Sequence, residues 1–204
     1  MTLRIDRVRT SGVFSLDGED FDVENNVWLV GDDDEVVVVD AAHDAGPIVE
    51  AVGGRRVRLV VRTHGHNDHV NAAVGVADAT GAPVALHGAD RMLWDAVHPG
   101  HAPDVELAAV PSIEVAGRHL DVLHTPGHSP GGVCPHLADE GVVFSGDTLF
   151  EGGPGATGRS FSDRAVLVAS IRSTLLVLPP GTVVHTGHGA STTIGAETPG
   201  IDGA

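Results

Sequence analysis

The feature that most constrains the fold is a series of short Val-rich runs, each closed by a polar or glycine-rich turn: Val36 to Asp40, Leu59 to Thr63, Pro83 to His87, Leu120 to His124, Gly141 to Asp147 and Val183 to Gly187. β-Branched residues at this density favour extended backbone, and apolar runs without polar alternation suit strands buried on both faces. Helical patterns lie between some of them. Pro47 to Val52 is opened by a proline near its first turn, and Asp68 to Ala79 follows the second run. In Ser162 to Leu178, Ser162 is placed to cap the N-terminus, Asp163 favours the positive dipole end, and Pro179-Pro180 forms the stop. This mixture predicts a layered α/β or α+β arrangement and leaves the topology open. No internal repeat or Pro/Gly/Ser-rich linker divides the 204 residues, so one domain over 1–204 is expected. The polar, Gly-rich tail from Ser191 to Ala204 reads as a surface extension with mobile last residues.

Composition removes several functions. A formal charge of −16 opposes a nucleic-acid partner. All 12 basic residues are Arg, which excludes Schiff-base lysine chemistry and a phosphate-binding lysine loop; Tyr is also absent. The single cysteine, Cys134, forms neither an internal disulfide nor a thiolate zinc site and reads as a small buried apolar residue. The N-terminus has no apolar signal-like region and no run approaches the ~18 apolar residues of a membrane span. The expectation is a cytoplasmic protein acting on a small-molecule substrate, with no membrane partner; the oligomeric state is left open.

Thirteen histidines in a chain with 3% aromatic residues need a reason. The densest group, T-H-G-H-N-D-H from Thr63 to His69, directly follows a predicted strand, so His64 and His66 leave an ordered edge toward the same region, and Asp68 and His69 open the next helix. His128 (T-P-G-H-S-P-G), Asp147 (F-S-G-D-T-L-F) and His188 (H-T-G-H-G) stand at the ends of later runs. A lone H-x-H is weak, but the ordered set supplies five imidazoles and two carboxylates. Seven ligands exceed one tetrahedral ion and suit two divalent ions sharing a carboxylate, with zinc first and iron or manganese as alternatives. His124 and His185, on runs leading to ligands, are expected to support them from behind. His43 suits either the site mouth or the surface; His87, His98, His101, His119 and His136 carry no assignment. Arg159, in the Gly-rich stretch Glu151 to Asp163, is the basic residue placed to grip a substrate carboxylate, with a surface ion pair as its alternative.

These motifs resemble the metallo-β-lactamase superfamily over almost the whole chain, and within it the glyoxalase II-like (hydroxyacylglutathione hydrolase-like) branch. The resemblance implies an α+β fold, a four-layer αββα sandwich with metals between the sheets at one edge. It implies that His64, His66 and His128 hold one ion, that Asp68, His69 and His188 hold the other, and that Asp147 bridges them while Asp40 buttresses the site. D-T-L-F with a bridging Asp147 is the hydroxyacyl-thioester pattern, where antibiotic-degrading members place Cys or His. Larger glyoxalase II proteins carry a C-terminal helical extension whose basic residues grip glutathione; the short stretch after His188 and the absence of Lys point away from glutathione as the thiol. The implied activity is hydrolysis of acyl-thioesters of a low-molecular-weight thiol by a metal-bound hydroxide that Asp68 and Asp147 orient. Alternatives are a persulfide dioxygenase with one iron on His64, His128 and Asp147, a lactone or ester hydrolase, and a metal-stabilised binding module without catalysis.

Overall fold

Two six-stranded sheets carry the Val-rich runs and face each other across a shared apolar interior. The computed structural model describes residues 2–202. The first sheet contains β1 (Arg4–Leu16), β2 (Glu19–Gly31), β3 (Glu35–Val39), β4 (Arg56–Val61), β5 (Val84–Leu86) and β6 (Val105–Glu106), in that order. Its β1-β2-β3 part is antiparallel, and β3 to β6 run parallel. Next come β7 (Ser112–Val115), β8 (Arg118–His124), β9 (Val133–Leu137), β10 (Val142–Gly146), the small ribbon β11 (Leu149–Phe150) and β12 (Gly153–Pro154), then β13 (Val183–Thr186) and β14 (Thr192–Thr193). The second sheet has the order β14-β13-β10-β9-β8-β7.

Six α-helices complete the described residues: α1 (Ala45–Val52), α2 (Asn67–Val70), α3 (Ala73–Thr80), α4 (Arg91–Val97), α5 (Arg164–Ser170) and α6 (Ile194–Asp202). Ile48 of α1 and Val76 of α3 pack with Val36, Val38 and Val60 on the outer face of the first sheet. Val37, Val39 and Val61 point inward and meet Leu120, Leu137 and Phe144 of the second. Leu167, Ile171 and Ile201 cover the outer face of the second sheet at Val143 and Val184. The result is the αββα sandwich. Successive valines point to opposite faces of a strand, and both faces are covered, which is why the runs show no alternation.

The structure departs from the sequence reading at several places, among them α4, β7 and β9, which no predicted run or helix covers. A long hairpin, β1–β2, precedes the first run that the sequence picked out; Asp17 and Gly18 take φ of 56° and 78°, the two left-handed residues of a tight hairpin turn. The segment from Asp68 to Ala79 divides into α2 and α3, where Ala72 N turns to Ala41 O and the Asp68 carbonyl accepts from Asn25 Nδ2 instead. Asp163, not Ser162, caps α5, accepting from Val166 N, while the Ser162 hydroxyl accepts from Gly158 N and donates to Arg159 O. α5 then continues through a wider π turn, Ile171–Leu175. The tail is not a surface extension: β14 joins the second sheet, and α6 buries Ile194 and Ile201. The buried Glu197 fixes this tail, accepting from Gly152 N and Thr192 Oγ1. Residues 203–204, where mobility was expected, lie outside the described residues.

Candidate metal centre

Each ligand candidate leaves the end of a strand at the same edge of the sandwich. His64 and His66 follow β4, Asp68 and His69 lie on α2, and His128, Asp147 and His188 follow β8, β10 and β13. Both sheets therefore contribute. Two donor groups result, His64–His66–His128 and Asp68–His69–His188, the donor atoms of each lying within 4.8 Å of one another. Asp147 lies between them: its Oδ1 is 3.3 Å from His69 Nε2, and its Oδ2 is 3.5 Å from His188 Nε2 and 3.7 Å from His128 Nε2. The tight approach explains Gly187, where a Cβ would strike the Asp147 carboxylate and come within 2.7 Å of His69 Cε1.

The hydrogen bonds behind the imidazoles decide where their lone pairs point. His128 Nδ1 meets Ala156 O at 2.8 Å, His188 Nδ1 meets Glu24 O at 2.8 Å, and His69 Nδ1 meets Asp40 Oδ2 at 2.9 Å. These acceptors require Nδ1–H and leave Nε2 as the lone-pair atom. Thr63 Oγ1 donates to Asp40 Oδ2 at 2.7 Å, so it accepts from His64 Nδ1 at 3.1 Å, and His64 Nε2 is freed in the same way. Asp40 and Thr63 thus orient one imidazole of each group. Asp40 itself is turned inward by a left-handed backbone, φ 56°, at the end of β3.

The inward atoms are poorly matched to one another. His69 Nε2 and His188 Nε2 stand 3.2 Å apart, with Asp68 Oδ2 3.4 and 3.3 Å from them. His66 Nδ1 lies 3.0 Å from His128 Nε2, and His64 Nε2 and Asp147 Oδ1 are buried without a hydrogen-bond partner. Converging lone pairs and carboxylates repel unless positive charge sits among them. Imidazole and carboxylate donors without thiolate fit divalent cations of the zinc or iron type. Asp40, His64 and His69 also lie close enough to form a third cluster, but the oxygens of Asp40 already accept from Thr63 and His69.

The same demand for cations shows in the proton affinities. Burial drives His64 well below its ordinary value and His66 down to about 3, so both are neutral bases. At His69 and His188 burial acts the same way, but Asp68 and Asp147 outweigh it, holding His69 well above its ordinary value and His188 up at about 10. Burial alone would raise Asp68 and Asp147; His69 and His188 reverse that and keep both below the carboxylate range.

The sequence model of the metallo-beta-lactamase superfamily matches residues 21–191. The chain belongs to this superfamily. Among its relatives is hydroxyacylglutathione hydrolase GloC of Haemophilus influenzae, 30% identical over 85% of this chain and 90% of that protein. Two solved structures are similar throughout. The BLEG-1 B3 metallo-beta-lactamase is 30% identical, with a TM-score of 0.78 over 93% of this chain and 97% of its own. TTHA1623, crystallised in a di-iron-bound form, is 33% identical, with a TM-score of 0.73 over 86% and 93%.

In this superfamily member the ligand-bearing turn α2 is held from behind by residues that the sequence reading missed. Asn25 Nδ2 donates to Asp68 O at 3.1 Å and to Asp68 Oδ2 at 3.0 Å, Arg62 Nη1 donates to His69 O at 2.9 Å, and His98 Nε2 donates to Val70 O at 2.9 Å. Three successive carbonyls at the end of a one-turn helix are thereby satisfied by side chains. Arg62 is fully buried, and desolvation lowers its pKa to about 10 against the pull of Asp40. Asn25 and Asn26 did leave a sequence signal, as two amides opening the apolar run of β2. Asn26 Nδ2 donates to Thr186 O and Gly189 O, pinning the His188 loop.

Two supporting roles are corrected. His124 is exposed, stacks on His87 with centroids 4.3 Å apart, and meets only the Pro130 carbonyl of the His128 loop. His124 shares the inter-sheet face of β8 with Leu120 and Val122, but it stands at the exposed end of the strand, where it meets His87 of the other sheet and no ligand candidate. His185 stacks on Trp28 at 4.1 Å and bonds Ser191 Oγ at 2.8 Å, facing the apolar interior instead of a ligand. His43 reaches Asp68 indirectly, its Nε2 2.8 Å from Asn25 Oδ1. Burial pushes the Cys134 thiol up to about 11, and it touches Thr125 rather than the centre. Arg159 lines a cavity of about 70 Å³ together with Phe14, Leu16, His66 and His128. Its guanidinium already pairs with Glu19 at 2.6 Å and lies over Phe21, 4.8 Å from the ring centroid.

Proposed function

We propose that this member of the metallo-hydrolase superfamily cleaves acyl-thioesters of a low-molecular-weight thiol, with two divalent ions, zinc first, held by His64, His66 and His128 and by Asp68, His69 and His188. The observation that carries the reading is Asp147, whose carboxylate lies between two complete donor groups. A divalent cation bound there supplies Lewis acidity toward a carbonyl oxygen and makes water a nucleophile near neutral pH.

The chain's own residues then have defined tasks. Asn25 fixes the Asp68 carboxylate, which together with Asp147 orients the attacking water. Asp40 and Thr63 keep His64 and His69 in the tautomer that presents Nε2. The cavity beside His66 and His128 takes the acyl group against Phe14 and Leu16. A thiolate departs without a strong general acid, which agrees with a chain that has no Tyr to act as one. The similarity to GloC of Haemophilus influenzae supports a thioester. No helix among the described residues is long and apolar enough to cross a membrane, consistent with a substrate met in water.

The test is thiol release by metal-loaded protein from a panel of acyl-thioesters that includes S-lactoyl and S-formyl conjugates of several small thiols, with the metal content measured on the same sample. Release with two ions per chain is the expected result. Turnover of none of the panel overturns the thioester reading, and one iron per chain with oxygen consumption on a persulfide replaces it by the dioxygenase.

A further inference from the structure

Asp90 is fully buried, lies outside every ligand motif, and ends the short 3₁₀ turn Gly88–Asp90 between β5 and α4. Its carboxylate collects three donors from two separate loops. Oδ2 accepts from Gly65 N at 2.8 Å and from Ser129 Oγ at 2.6 Å, and Oδ1 accepts from Gly131 N at 2.6 Å. Gly65 stands between His64 and His66, and Ser129 and Gly131 follow His128. One anion therefore ties the loop that carries two donors of the first group to the loop that carries the third.

Both glycines permit this approach. A Cβ at Gly131 would come within 2.8 Å of the Asp90 carboxyl carbon, and one at Gly65 within 3.0 Å of Asp90 Cβ. The bonds are short and charge-assisted, and two of the three donors are backbone amides, so they fix main chain and not merely side-chain direction. The base beneath them is firm: Asp90 N bonds His87 O at 3.0 Å, and α4 begins at the next residue, with Leu93 and Trp94 buried.

We infer that Asp90 is a positioning residue that holds the His64/His66 loop and the His128 loop at the separation needed for one ion, and that it acts on this group and not on Asp68–His69–His188. The inference rests on reading the three imidazoles as a metal site. The second group takes its supports from Asn25, Arg62 and His98, none of which contacts Asp90. An asparagine cannot replace Asp90, since its amide would direct N–H at a backbone N–H that needs an acceptor.

The experiment loads wild type, Asp90→Asn and Ser129→Ala with cobalt(II) and measures stoichiometry and affinity by chelator competition, with His128→Ala and His188→Ala as references for loss at either group. Asp90→Asn is expected to bind one of the two ions about 10- to 100-fold more weakly, the usual scale for groups that orient ligands. Its ligand-field spectrum should then match that of His128→Ala. Ser129→Ala removes one donor, leaves both glycine amides bonded, and should weaken the same ion by a smaller factor; it keeps the test decisive if Asp90→Asn does not fold. Wild-type affinity for both ions in the two variants, or equal weakening of both ions, overturns the inference. Because metal binding is read without substrate, a failed thioester panel with both ions bound counts against the proposed activity alone.

Discussion

The two donor groups use similar residues but are held in opposite ways. Around His64, His66 and His128 the support is an acceptor: Asp90 gathers backbone N–H groups from two loops. Around Asp68 and His69 the supports are donors: Asn25, Arg62 and His98 gather backbone carbonyls from one turn of helix. The difference follows from local geometry. Glycine-rich loops expose amides, whereas the C-terminus of α2 exposes carbonyls. The electrostatics divide along the same line, with His64 and His66 depressed in the first group and His69 and His188 raised in the second. The two groups are joined through Asp147 in front and the Asp40–Thr63 pair behind.

The largest effect is expected where the two groups meet. Asp147→Ala removes the carboxylate that approaches His69, His128 and His188, so affinity for both ions should fall together and kcat/KM on any thioester turned over should drop by about 10²- to 10³-fold, the scale of one preorganised charge at a reacting centre. Loss of one ion with the other unaffected would show that Asp147 belongs to one group and is not shared. Asn25→Ala should act more narrowly, since the Asn25 amide contacts Asp68 and no donor of the three-imidazole group. A decrease of about 10-fold in affinity for the Asp68–His69–His188 ion, with the other unchanged in chelator competition, is the expected outcome. Equal weakening of the two ions would erase the distinction drawn between their supports.

What the sequence made legible follows the same division. The donors themselves stood out because they follow Val-rich runs or, as Asp68 and His69 do, open the helix after one, and a strand end is a place that spacing can locate. Arg62 and Asp90 did not stand out, because their roles depend on which backbone amide or carbonyl they meet across the sandwich. The β1–β2 hairpin was overlooked although Asp17-Gly18 marks its turn, since β1 mixes arginines with apolar residues on a half-exposed surface. The C-terminal segment hid its helix behind Gly195, Pro199 and Gly200; the buried pair Ile194 and Ile201, two turns apart, was the available signal.

The smallest effect separates two histidines three residues apart. His188 sits among carboxylates and is raised to about 10, whereas burial and then Arg7 lower His185 to about 4 against Trp28 and Phe144. Between pH 6.5 and about 4 the unfolded chain binds a proton at His185 that the folded chain refuses, so this residue contributes stability above pH 6.5 and loses it as the pH falls through that window. His188 stays protonated in the metal-free protein across the same window and contributes no slope there. His185→Phe keeps a ring on Trp28 and removes the titration. Urea unfolding of the metal-free protein at pH 7 and pH 4.5 should therefore show a loss of stability on acidification that is smaller in the variant by about 1 kcal/mol, a figure reduced to allow for the partial exposure of the ring. An identical pH dependence in the two proteins would mean that His185 is hydrated in the fold, and that the two ends of this loop do not differ electrostatically as drawn here.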